Sequence, residues 1–234
     1  MDEKISILNR YLLWAEAARC EMFRGQTHAR WPLLPSIVRY AEVVRAGYRG
    51  IAEVERHLVA EFEKYALPFN DYRPAGYVEK LIHAQHHGLP TRLLDWTSNP
   101  LKAMYFAVDN PDADAADGVV VAFSPTRWWE KVEFVKLDTE LATFYPELVN
   151  ERVGAQEGCF TSFPLPEDGF DVAPFDPRHY PQAIARVDAF VVPAGAKREI
   201  RRALSRFGIN QRTIYPGLDG VARWVRSRLA DYAV

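Results

Sequence analysis

Fourteen residues of this 234-residue chain concentrate more polar chemistry than packing alone requires. The run Ala84 to Thr97 reads AQHHGLPTRLLDWT. It holds Gln85, His86, His87, Arg92, Asp95, Trp96 and Thr97 around a Gly-Leu-Pro break. An imidazole near neutral pH can take or give a proton, and a carboxylate nearby can hold its tautomer. An indole face can stack a base or a nicotinamide ring. The cluster therefore points to catalysis or ligand binding by His86, His87 and Asp95, with Gln85, Arg92, Trp96 and Thr97 around the ligand. His83, His86 and His87 share one helical face, a spacing that zinc can use. Adjacent histidines crowd one another, however, and no helical glutamate completes a metalloprotease pattern, so no metal site is assigned.

A second constellation lies upstream. Arg24 sits between Phe23 and Gly25, followed by Gln26. A guanidinium at a bend can grip a phosphate through two parallel hydrogen bonds, and Gly25 lets backbone approach a ligand closely. Gln156 and Glu157 precede a third stretch, GCFTSF. A glutamate at a strand start can orient a ribose hydroxyl or activate a nucleophile. Lys197, Arg198, Arg201 and Arg202 read first as a solvated helix face and only second as a phosphate-binding or RNA-binding patch. The sequence has no Walker loop, no Gly-rich dinucleotide fingerprint and no Gly-x-Ser-x-Gly elbow.

The elements that must hold these residues follow from periodicity. Ile5, Leu8, Leu12 and Ala15 predict a first amphipathic helix, and Ile51 to Tyr65 a second over about 50–66. A third runs from about Gly76 to His87, stopped by Gly88 and Pro90. Asn99-Pro100 is a cap followed by a first-turn proline. Phe23 and Gly25 fit a short strand or turn. Strands are expected at Gly118–Phe123, Gln156–Phe163 and Arg186–Pro193. Pro164 to Pro181 reads as irregular loop. A basic helix spans Lys197–Phe207, and a last helix starts near Asp219, its expected N-cap. The expectation is α+β: one compact domain over 1–234, with N-terminal helices packed on a small mixed or antiparallel sheet and a C-terminal helix.

Composition narrows the class. With 48% hydrophobic and 26% charged residues the chain is an ordinary globular protein. A net charge of -2 gives no global pull toward nucleic acid or acidic membrane. Two distant cysteines make no disulfide framework. Neither a signal peptide nor a membrane span is evident, so a cytoplasmic protein without a membrane partner is expected.

The run Ala84 to Ala107, with Phe23-Arg24-Gly25, Gln26, Trp31 to Ser36 and Gln156 to Phe160, resembles the FRG domain family. That family is named for its Phe-Arg-Gly. The resemblance extends from about Glu21 to Leu229 and implies a bacterial or phage setting, with a role in phage defence or as a toxin. A looser likeness is to ADP-ribosyltransferase-like folds. There an aromatic-Arg-Gly strand grips NAD phosphate, a Ser/Thr-bearing strand leads into a helix, and a late strand carries a glutamate. The likeness implies NAD as substrate rather than a tightly bound cofactor, with Arg24 on pyrophosphate, Trp96 on nicotinamide, Thr97 on ribose and Glu157 or a histidine at the reacting carbon. The expected activity is ADP-ribosyl transfer or NAD glycohydrolysis, with a nucleotide-like small molecule as ligand and a nucleic-acid or protein acceptor. Two alternatives stand beside it: a non-catalytic nucleotide or modified nucleic-acid binding module, and a His/Asp-dependent hydrolase or nuclease.

Overall fold

A computed structural model describes residues 2–69, 74, 76–131, 137–146 and 151–229. Six strands form one sheet: β1 (Met22–Gln26), β2 (Leu93–Thr97), β3 (Gly118–Pro125), β4 (Ala142–Phe144), β5 (Gly158–Ser162) and β6 (Ile184–Val192). Their order is β4-β5-β2-β1-β3-β6, and every pairing is antiparallel. The helices are α1 (Asp2–Ala18), α2 (Ala41–Val44), α3 (Ile51–Ala66), α4 (Tyr77–His86), α5 (Pro100–Val108), α6 (Glu151–Gln156), α7 (Lys197–Arg206), α8 (Gln211–Ile214) and α9 (Leu218–Ser227). The α+β expectation holds, and the sheet is antiparallel rather than mixed.

Strand alternation divides the core. Phe23, Val120 and Ala122 point to the face covered by α1, α5 and α7. Met22, Leu94, Trp96, Val121 and Phe123 point to the opposite face, against Phe175 and Ile184. Toward the β4 end, Leu93, Phe144 and Phe160 pack beneath α3 and α4. One helical layer thus has two parts, α5 over β1 and β3, and α3–α4 over β2, β5 and β4.

Gly25 explains how closely α5 sits. A Cβ there would lie 1.9 Å from the Ala103 carbonyl oxygen and 2.5 Å from the Ala107 nitrogen. The glycine of Phe-Arg-Gly serves helix-on-strand contact, and it also lines the cleft described below. The end of α4 follows from its sequence. Gly88 takes φ 91°, Leu89 N–H donates to Ala84 O and Gly88 N–H to Gln85 O, closing a left-handed cap. At the start of α5 the Asn99 side chain accepts from the N–H groups of Leu101 and Lys102.

Several boundaries differ from expectation. The stretch after the Gly-Leu-Pro break, for which periodicity predicts no element, is strand β2 over Leu93–Thr97. Gln156 ends helix α6 instead of opening a strand, and β5 begins at Gly158. Gly217 takes the cap position of α9, which puts Asp219 in the first turn. Leu12 is 40% exposed, because Tyr11, Ala15 and Ala18 carry the buried stripe of α1.

Candidate functional site

Strands β1 and β2 meet at one register pair, Phe23 with Thr97, and then part. A ladder that opens in the middle of a sheet leaves backbone groups to be satisfied some other way. Arg24 crosses the opening: its Nη1 donates to the Asp95 carbonyl oxygen at 2.6 Å. At this gap lies a cleft of about 350 Å³, lined in part by residues of α4, α5 and α6. Its walls include Arg24, Gln26, Gln85, His86, Asp95 and Thr97. The upstream Phe-Arg-Gly and the histidine-aspartate run therefore form one site.

Charge in the cleft is unbalanced. Arg39 and Arg152 line it with Arg24, and Asp95 is the one carboxylate among its described lining residues. Arg24 Nε is buried without a hydrogen-bond partner. Burial lowers the Arg24 pKa from its usual range, and nearby Arg39 lowers it further against the opposing pull of Asp95. An arginine stays protonated through shifts of this kind. A guanidinium at a cleft wall beside two further arginines is suited to an anionic ligand.

Asp95 is held by a short relay. The Thr91 hydroxyl donates to Gln85 Oε1, and Gln85 Nε2 donates to Asp95 Oδ1 at 2.8 Å. The cap that ends α4 thereby sets the orientation of the carboxylate. His86, on the last turn of α4, has its pKa lowered by burial, then by Arg152 and the two neighbouring histidines. The shift favours the neutral imidazole, the form that can accept a proton.

Four expected site residues are placed elsewhere. Arg92 is buried: its N–H and Nε donate to the Glu55 carboxylate at 2.6 and 2.5 Å, and Nη1 donates to Asp138 and the Leu137 carbonyl. It anchors the start of β2 to α3. Trp96 backbone borders the cleft, but its indole packs with Phe123 and Phe175 on the other face, where Nε1 donates to Thr161. Alternation separates it from Asp95, so it cannot carry a ring bound in the cleft. His87 stacks against Phe62 instead of lining the cleft. Glu157 turns away through a left-handed residue (φ 48°) between α6 and β5. Its carboxylate pairs with Lys102 Nζ at 2.7 Å and accepts from Asn99 Nδ2, and the Lys102 hydrogen bond chiefly holds its pKa below the usual range.

Two retained residues are more constrained than expected. The Thr97 hydroxyl donates to the Gln156 carbonyl and accepts from Asn99 N–H, so it supports the cleft floor. Gln26 Nε2 donates to the Trp31 carbonyl and ties the next loop to β1. That loop presents Trp31, 50% exposed and stacked on His28 at 4.2 Å, at the cleft wall. Trp31 supplies the accessible aromatic face that Trp96 does not. Arg39, Arg152 and Trp31 were hidden from sequence reasoning for different reasons. Nothing local distinguishes the arginines from surface charge, and Trp31 reads as an apolar anchor just before Pro32 and Pro35. Among the described residues, no group of three His, Cys, Asp or Glu side chains is placed to hold a metal ion.

Residues 20–116 match the FRG domain family. This segment of the chain is an FRG domain. No curated protein and no solved structure matches the chain. The FRG segment contains β1, β2, α4 and α5, and with them Arg24, Gln85, His86 and Asp95. The match stops short of the Gln156–Phe160 stretch and of the C-terminal part of the resemblance. Arg152 and Gln156 therefore bring to the FRG cleft a wall from beyond the matched segment.

Proposed function

We propose that the FRG cleft binds a pyrophosphate-containing nucleotide and breaks its N-glycosidic bond, with NAD as the substrate to test first. The observation that carries this reading is the opening between β1 and β2. There Arg24, its Nη1 held on the Asp95 carbonyl, lines the same space as the Asp95 carboxylate. Arg24, with Arg39 and Arg152, supplies positive charge for the pyrophosphate. Trp31 offers a face for one of the two rings. Asp95, fixed by Gln85, lies in the same cleft and takes the role that the resemblance assigned to Glu157. As the bond from ribose C1′ to the nicotinamide nitrogen breaks, the electron pair leaves with nicotinamide. The carboxylate stabilises the positive charge left on the ribose. Water or an acceptor then forms the new bond to C1′, and its proton passes to His86 or Asp95.

The position of Glu157 counts against the transferase pattern in its complete form, which has a late glutamate in the site. The reading rests on Asp95 instead. Nicotinamide release from NAD tests it. Asp95→Asn should lower turnover by about 100- to 10,000-fold while leaving nucleotide binding within a few fold. An enzyme that releases no nicotinamide, alone or with protein and nucleic-acid acceptors, would overturn it.

One observation favours a second reading. Neutral His86 beside Arg152 is also the arrangement of a general base next to a phosphate clamp, which suits hydrolysis at phosphorus. The products separate the two: AMP or inorganic phosphate without nicotinamide indicates the phosphate chemistry.

A further inference from the structure

Charge is distributed unevenly along the chain. Residues 197–228 hold nine Lys and Arg against two Asp and Glu, a net of +7 within a protein of net -2. Lys197 and Arg201 are spent inside the fold, Lys197 on the carbonyls of Thr27 and Ala113 and Arg201 on Asp114. Most of the others are exposed.

Part of this charge is ordered and leads away from the cleft. Arg152, on the cleft wall, lies over the Tyr215 ring at 5.0 Å. Arg223 lies over the same ring, also at 5.0 Å. On α9, Trp224 is flanked by Arg212 and Arg228, each 5.0 Å from its ring. Gln156, from the cleft wall, donates to the Ile214 carbonyl and fastens α8 beside the site. Arg152, Arg212 and Arg223 form no salt bridge among the described residues. A guanidinium held against an aromatic face is still able to offer N–H groups at its edge to phosphate.

We infer that the Arg152–Tyr215–Arg223–Trp224 track is a docking surface for single-stranded nucleic acid, whose backbone phosphates it leads to the cleft. A row of cations complements a polyanion, with the Asp109 carboxylate at Tyr215 offsetting part of the charge beside Arg223. Its origin at Arg152 places one end of the strand at the nucleotide site, and Trp31 on that wall can stack a base. The inference rests on the proposed cleft chemistry in one respect only: it names the acceptor. A base nitrogen or hydroxyl of the strand would bond to ribose C1′ as nicotinamide leaves, giving up its proton to Asp95 or solvent.

Binding can be measured without NAD, which keeps this test separate from the nicotinamide assay. Labelled single-stranded RNA and DNA oligonucleotides are titrated with the full chain by fluorescence anisotropy across a salt series. The affinity should fall linearly with salt on logarithmic axes, by about 0.7 per phosphate neutralised. The double variant Arg212→Gln, Arg223→Gln leaves the cleft wall intact. It should weaken binding by roughly 10-fold and flatten the salt slope by about 1.4. A melting temperature close to that of the parent protein confirms folding. A second double variant, Arg198→Gln with Arg206→Gln on α7, carries the same charge change and should have the smaller effect. Absence of oligonucleotide binding at 50 mM salt (a nominal ~50 mM condition) overturns the inference. So does equal weakening by the two double variants, which would mean diffuse charge. Binding to anionic phospholipid vesicles in preference to either oligonucleotide would overturn it in favour of a membrane surface at α9, where Leu218, Val221, Val225 and Leu229 are exposed.

Discussion

Arg24 and Arg92 both sit at the central strands, and their surroundings are opposite. Arg92 precedes β2 with its donors answered by Glu55, Asp138 and a backbone carbonyl. Arg24 has one neutral carbonyl as partner and a buried Nε with none. An arginine matched to a carboxylate in the interior holds two elements together. An arginine at a cleft wall with no carboxylate bonded to it can take an anion from outside. The two residues therefore divide the work: Arg92, just before β2, is fixed to α3, and Asp95, in the middle of β2, stands where β1 and β2 have parted.

The largest expected effect separates the two arginines. Arg92→Ala leaves the buried Glu55 charge unpaired and should destabilise the fold by about 3–5 kcal/mol in urea unfolding. If it costs less than about 1 kcal/mol, the pair is not the anchor described. Arg24→Ala should change unfolding by less than about 1 kcal/mol yet weaken nucleotide binding by about 10- to 100-fold, since a charge-assisted hydrogen bond contributes about 1.5–3 kcal/mol. A loss of stability comparable with that of Arg92→Ala would erase the contrast.

Glu157 provides a smaller test of the same division. Its pair with Lys102, open to water on the Glu157 side, should contribute about 1 kcal/mol or less, so Glu157→Gln should alter stability slightly and nicotinamide release by less than about threefold. A loss as large as that of Asp95→Asn would restore Glu157 to the site. Its pKa is depressed in the folded state, so the contribution is present above the unfolded carboxylate pKa and fades as pH falls through the folded one. The smallest effect concerns His86 and His83, whose pKa values lie below the usual 6.5. Burial is the leading cause for both, followed by Arg152 at His86 and by His87 at His83. The unfolded chain then binds more protons, so stability should fall as pH drops below about 6.5. His86→Gln should make thermal unfolding less dependent on pH in that range; an unchanged profile would contradict a depressed His86 pKa.

Elements with local causes were legible. The stop of α4 at Gly88, the Asn99 cap of α5 and the long helix over 51–66 each depend on residues a few positions apart. The strand β2 was missed because its polar residues looked like loop chemistry. Read with period two, Leu93, Asp95 and Thr97 fall on one face and Leu94 and Trp96 on the other, which already separates the indole from the carboxylate. Short α2, α6 and α8 and the three-residue β4 give too little periodicity to find.

By itself the sequence determined the α+β class, the principal helices and the cluster of Gln85, His86 and Asp95 that the end of α4 and the start of β2 bring together. These follow from apolar period and capping, which act over a few residues. Only the tertiary structure decided which charges meet. Arg24 reaches Asp95 because β1 and β2 part after Phe23 and Thr97, and Arg39 and Arg152 arrive from distant segments. Glu157 leaves the site for Lys102, and Arg92 is taken into the interior by Glu55. The physical reason is that strand pairing and the matching of charges are long-range, and no local pattern of residues encodes whether a guanidinium finds a carboxylate.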